Sequence, residues 1–165
     1  MKQIEIKAAI ENLIDTFLYA GKVSIELRKK GLIKEIKEDN TPVSNGDLEV
    51  NRILTEKINN LTPQIPIVSE ETSHNKSKKD LKNFWLIDPI DGTYDYINDL
   101  DEFTLNAGLI INNRAVAGII YAPAKNRLFY SYEKGCSFEI INSKHVKLDC
   151  SCLLYTSPSP RDPSI

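Results

Sequence analysis

The stretch from Trp85 to Tyr96, Trp-Leu-Ile-Asp-Pro-Ile-Asp-Gly-Thr-Tyr-Asp-Tyr, constrains the fold more than any other part of the chain. An apolar run, Phe84 to Ile87, stops abruptly at Asp88. Short apolar runs bounded by turn residues suit buried strands. Pro89 has no N–H for a ladder hydrogen bond, so the strand is expected to end there. Two carboxylates, Asp88 and Asp91, then stand on a stiff corner. At about 4 Å and an effective dielectric of about 20 they repel by about 4 kcal/mol. A cation between them relieves that repulsion, and acidic oxygens suit Mg²⁺, Mn²⁺ or Ca²⁺. Gly92 lets backbone approach closely and Thr93 offers a hydroxyl. If Thr93 to Ile97 opens a helix, its free N–H groups can hold a phosphate. Metal, phosphate and hydroxyl together suggest metal-assisted hydrolysis of a phosphate ester. An Asp-Pro turn beside an Asp-Gly turn, with Thr93 as a helix cap, accounts for the same residues.

The 165 residues suffice for one domain burying about two-thirds of its unfolded surface. With 21 basic and 23 acidic residues, net charge -2, the chain gives no support to a nucleic-acid-coating surface. No apolar run approaches the length of a membrane span. Cys136, Cys150 and Cys152 form an odd set without a zinc-like pattern, which reads as reduced thiols in a cytoplasmic protein.

Ile6, Ile10, Leu13, Ile14, Phe17 and Leu18 recur at helical spacing, predicting an amphipathic helix from about Gln3 into the twenties, ended near Gly31. Lys37 to Asp47 is polar and turn-rich and reads as a loop. Val50, Ile53, Leu54, Ile58 and Leu61 then give a second helix its apolar stripe, with Asp47 at its start, where an acid favours the helix dipole. Ile65 to Ser69 is a short apolar strand leaving into Glu70 and Glu71, as the central strand leaves into Asp88. Sites cluster at strand ends in layered folds, so Glu70 is placed to share a cation with Asp88 and Asp91; a pair of solubilising glutamates is the plainer account. Thr72 to Lys82 reads as a charged surface loop with a solvated His74. After the central motif, strands near Phe103 to Leu109, Ala115 to Tyr121, Leu128 to Tyr132, Cys136 to Ile141 and Lys144 to Leu148 form an antiparallel meander. Asn112-Asn113 makes the first hairpin turn. Helices first and a meander afterwards predict an α+β, layered architecture.

With these pieces placed, the chain resembles the lithium-sensitive, magnesium-dependent phosphatase superfamily that contains inositol monophosphatase and fructose bisphosphatase. Its central signature is Asp88-Pro-Ile-Asp-Gly-Thr93. Within that superfamily it is most similar to the CysQ-type 3′(2′),5′-bisphosphate nucleotidases, through Lys37 to Asp47, Leu61 to Glu71, Glu102-Phe-Thr-Leu-Asn106 and Tyr121-Ala-Pro123. Asp95 looks like a conservative version of the nucleotidases' Glu, and Tyr96 in place of the usual Phe is expected to be a neutral ring-for-ring change.

The resemblance implies a layered α-β-α-β-α sugar-phosphatase-like fold. Residues 1–150 would be the N-terminal metal- and phosphate-binding part of it. Residues 151–165 would be a tail outside the fold, similar to translated sequencing adaptor. Glu70, Asp88, Asp91 and the main-chain oxygen of Ile90 would hold Mg²⁺, and Gly92 and Thr93 would hold phosphate. Asp47 and Thr93, with Glu70, would activate the attacking water. The implied substrate is a small phosphorylated nucleotide, 3′-phosphoadenosine 5′-phosphate. Inositol monophosphate, or metal binding without turnover, are the alternatives. Family members are longer and carry a further Asp ligand in a Trp-Asp motif, so a fragment of little or no activity is the expectation. The sequence says nothing of oligomeric state.

Overall fold

Helix α1, Gln3–Lys30, buries Ile6, Ile10, Leu13, Ile14 and Phe17 along one stripe. It runs farther than the apolar periodicity alone requires and ends where Gly31 turns to φ +94°. The computed structural model describes residues 2–36, 42–71 and 81–149. Lys34–Ile36 (β1) and Pro42–Ser44 (β2) pair antiparallel. The loop expected over Lys37 to Asp47 is therefore partly regular, its residues 37–41 lying outside the described ones. Asn45, Gly46 and Asp47 already belong to α2, Asn45–Leu61, because Ser44 caps it: Gly46 N–H donates to Ser44 Oγ at 3.2 Å. His74, Cys150 and the tail after it also lie outside the described residues.

The remaining strands are β3 Ile67–Ser69, β4 Phe84–Asp91, β5 Thr104–Ile111, β6 Arg114–Ala122, β7 Arg127–Glu133, β8 Cys136–Ile141 and β9 Lys144–Lys147, with a short helix α3, Thr93–Ile97, after β4. They form one seven-stranded sheet in sequence order, β3 and β4 parallel and every later pair antiparallel. Asn112 and Asn113 both take positive φ, 51° and 62°, as a two-residue hairpin turn demands. The expected meander and the α+β class are what the chain forms.

Helices α1 and α2 pack on each other and over β4, β6 and β7. Alternation along each strand sends Trp85, Ile87, Leu105, Leu109 and Ile119 into the helices, where each is at most 1% exposed. Trp85 Nε1–H finds a partner in that core, donating to Thr62 Oγ1 at 2.9 Å. The opposite face carries Leu86, Asp88, Asn106, Gly108, Gly118, Ile120 and Phe129, which line an open groove of about 400 Å³. Among the described residues the fold is one helical layer on one seven-stranded sheet, with the two-stranded β1–β2 sheet in addition.

The strand expected to end at Pro89 continues to Asp91. Pairing runs from Asp88↔Asn106 to Asp91↔Thr104, so β4 holds one residue more than β5 across that interval. This is a β-bulge. Its unpaired residue is where a proline, lacking an N–H, is tolerated.

Candidate functional site

The bulge decides where the acids point. Residues three apart on a regular strand face opposite sides of the sheet. The extra residue brings Asp91 back to the side of Asp88, since their partners Asn106 and Thr104 are two apart on β5. Glu70 reaches the same corner from β3. Its N–H donates to Ile87 O at 3.1 Å, continuing the parallel ladder by one residue. Ser69 is held there by a buried bond, Ser69 Oγ–H to Asn51 Oδ1 at 2.6 Å, which ties the exit of β3 to α2.

Electrostatics report the crowding. Burial pushes the Asp88 carboxyl up to about 7, and the charges of Glu70 and Asp91, a hydrogen bond with Glu70, and the charge of Asp47 push in the same direction. Asp88 Oδ1 is buried without a hydrogen-bond partner. Among the described residues no group of three or more His, Cys, Asp or Glu side chains is placed to hold a metal ion. Glu70, Asp88 and Asp91 meet at one corner without forming a closed cage.

Asp47 both caps α2 and faces Thr93. Its Oδ2 accepts from Ser44 N–H at 2.8 Å and from Ser44 Oγ–H at 2.6 Å, completing the capping box of α2. Its Oδ1 faces the other way and lies 3.0 Å from Thr93 Oγ1, which is also 3.0 Å from Ile90 O. Asp47 is only 1% exposed, so the cap fixes which oxygen is presented to Thr93.

Between them, Gly92 adopts φ +91°, ψ 37° as the cap of α3. A Cβ there would stand 2.6 Å from Glu102 O, so only glycine lets the turn lie against the start of β5. Tyr96, on α3, is fully buried against Phe103, ring centroids 4.9 Å apart. Its hydroxyl donates to Ser24 O of α1 at 2.7 Å. The Tyr-for-Phe change expected to be neutral adds a hydroxyl that ties α3 to α1.

Three contributors were given no site role from sequence. Arg28 of α1 donates to Leu100 O at 2.6 Å, pairs with Asp99 at 3.2 Å and Asp101 at 3.0 Å, and lies over the Phe103 ring. It clamps the segment that delivers β5. Ser44 orients Asp47. Asn106, cross-strand neighbour of Asp88, donates through Nδ2 to Asp91 Oδ2 at 3.4 Å. No local pattern distinguishes Asn106 from any polar residue on an alternating strand. Only the register does.

Fold and site define an α+β domain with an oxygen-only acidic corner on a bulged strand exit, beside a glycine-threonine turn. The profile of the Inositol monophosphatase family matches residues 6–164, and the chain belongs to that family. It is 35% identical over 141 residues to a protein of Aggregatibacter actinomycetemcomitans named 3′(2′),5′-bisphosphate nucleotidase CysQ, covering 84% of this chain and 52% of that one. The protein of the same name in Haemophilus influenzae is 40% identical over 114 residues, 68% of this chain and 42% of its own length. The crystal structure of CysQ from Bacteroides thetaiotaomicron, described as a bacterial member of the inositol monophosphatase family, superposes with a TM-score of 0.61 at 27% identity. That match covers 87% of this chain and 52% of the other. The chain spans about half the length of these relatives. None of the helices among the described residues is long and apolar enough to cross a membrane.

Proposed function

We propose that this chain carries the metal- and phosphate-binding corner of a phosphoric monoester hydrolase that removes the 3′-phosphate of 3′-phosphoadenosine 5′-phosphate, giving AMP and phosphate. The observation that supports this most is the Thr93 Oγ1–Asp47 Oδ1 pair at 3.0 Å, one turn from the acids Asp88 and Asp91. The substrate is drawn from the nucleotidase relatives at 35% and 40% identity.

The donor set suits a hard divalent cation such as Mg²⁺: every ligand is an oxygen, and Asp88 Oδ1 is buried and unpartnered. Glu70, Asp88, Asp91 and the main-chain oxygen of Ile90 would hold it. A cation held there would offset phosphate charge and make a nearby water easier to deprotonate. The chain's own residues account for the rest. Thr93 passes its hydroxyl proton toward Asp47 Oδ1, which leaves the threonine oxygen able to take a proton from the attacking water. Asp47 keeps that orientation because its Oδ2 is tied to Ser44. Amides of the Gly92-Thr93 turn, at the opening of α3, would take phosphate oxygens, since a helix's first N–H groups have no acceptor within the helix. Glu70 stands on the far side of Asp88, where it would orient the water as well as share the cation.

Phosphate release by the purified protein with Mg²⁺, from 3′-phosphoadenosine 5′-phosphate and from inositol monophosphate in parallel, tests the reading. Weak release from the nucleotide, as expected of a chain spanning about half the length of its relatives, and none from Asp47→Asn, is the expected result. A preference for the inositol ester overturns the substrate. Release that survives Asp47→Asn unchanged overturns the assigned base.

A further inference from the structure

Asn106 and its cross-strand neighbour Asp88 each bury an acceptor without a donor: Asn106 Oδ1 and Asp88 Oδ1 both lack a hydrogen-bond partner. The Asn106 amide nitrogen is already used, donating to Asp91 Oδ2 at 3.4 Å. Turning the amide over does not resolve this, because it would set the oxygen against the Asp91 carboxylate at that same distance. With Asp88 deprotonated, as a cation would hold it, its carboxylate offers only acceptors and the amide oxygen only lone pairs, so neither satisfies the other. Leaving such oxygens buried and unpaired is unfavourable. What satisfies both at once is a group that is cationic or donates twice: a divalent cation at Asp88, with one of its water molecules donating to Asn106.

Resting on the cation reading above, we propose that Asn106 is a positioning residue of the acidic corner. Its N–H steadies Asp91, and its oxygen accepts from a water carried by the cation. Asn106 thereby links the two acids of β4 from the neighbouring strand. The bulge makes this possible, since without it Asp91 and Asn106 would lie on opposite faces of the sheet. Outer partners of this kind commonly set metal affinity by about 10–100-fold without touching the ion.

Mn²⁺ alone is the probe, titrated into the purified chain and followed by the electron paramagnetic resonance signal of the free ion, with thermal unfolding in EDTA run alongside. Asn106→Ala is expected to weaken Mn²⁺ binding about tenfold while leaving the metal-free melting temperature unchanged or raised, because a buried unpaired acceptor has been removed. Binding that disappears in Asp88→Asn but is untouched in Asn106→Ala overturns this proposal and leaves the cation reading standing. Loss in Asn106→Ala accompanied by an equal loss of metal-free stability assigns the residue a merely structural part and overturns it too. Failure of the unsubstituted chain to bind Mn²⁺, or binding indifferent to Asp88→Asn, overturns the cation reading and this proposal with it.

Discussion

Replacing Gly92 by alanine isolates the turn on which the site hangs. Two penalties add. A non-glycine residue in the left-handed region, at φ +91°, costs about 1–2 kcal/mol. The new methyl then stands 2.6 Å from Glu102 O and 3.3 Å from Phe103 Cα, both backbone, so no side chain can swing away. Forcing backbone apart in a packed region costs about 1–3 kcal/mol more. The sum is about 2–5 kcal/mol, or a fall in melting temperature of about 4–20 °C for a domain of this size. Gly108 is the control. It lies mid-strand on the open face, and an added Cβ meets no heavy atom within 4 Å. Gly108→Ala is therefore expected to hold or gain up to about 1 kcal/mol, since alanine has less freedom to lose on folding. Differential scanning calorimetry of the two variants against the parent decides. Equal melting temperatures for Gly92→Ala and the parent, or equal losses in both variants, would refute the reasoning that close backbone approach, rather than glycine's flexibility in general, fixes this turn.

Tyr96→Phe removes the bond to Ser24 O and is expected to destabilise the protein by about 1 kcal/mol in urea unfolding. No change would return the hydroxyl to the neutral role first expected of it. Thr93→Val keeps the shape of the turn but removes the proton path to Asp47. Activity is expected to fall by at least about 10²-fold with Mn²⁺ affinity within about threefold of the parent; parallel loss of both would contradict the separation of roles. Asp88 supplies a pH dependence. Its carboxyl is raised to about 7 in the fold by burial first and neighbouring acids second, while the unfolded chain titrates near 3.8. Between those values the folded state holds a proton that the unfolded state has released. The proton-linked stability is therefore fully present below about pH 4 and is lost as pH rises to about 7. In EDTA, Asp88→Asn should gain stability over the parent as pH rises from 5 to 8; a gap that stays constant would mean Asp88 is not titrating there.

The sequence carried the local parts of this account because local chemistry decided them. Paired asparagines with positive φ made the hairpin at Asn112-Asn113, glycine ended α1 at Gly31, and an apolar run before Asp88 made the central strand. What it did not carry depends on partners far away in sequence. The bulge that turns Asp91 to the side of Asp88 exists only relative to β5, so Pro89 was read as a stop although the strand runs on through the bulge to Asp91. The value of the Tyr96 hydroxyl depends on a carbonyl of α1 seventy-two positions earlier. Asp47 was weighed as cap against pair, and its two oxygens divide the roles between them. Asn106, quoted only as the end of the Glu102 to Asn106 match, was given no role because nothing in an alternating strand says which polar residue faces two acids.

The central claim is that Glu70, Asp88 and Asp91 share one divalent ion beside the Gly92-Thr93 turn. Anomalous scattering from a crystal grown with Mn²⁺ measures this directly. The account predicts a peak bounded by those three carboxylates and the main-chain oxygen of Ile90, absent in Asp88→Asn. A map with ordered side chains and no peak there, or with manganese bound only elsewhere, would contradict it.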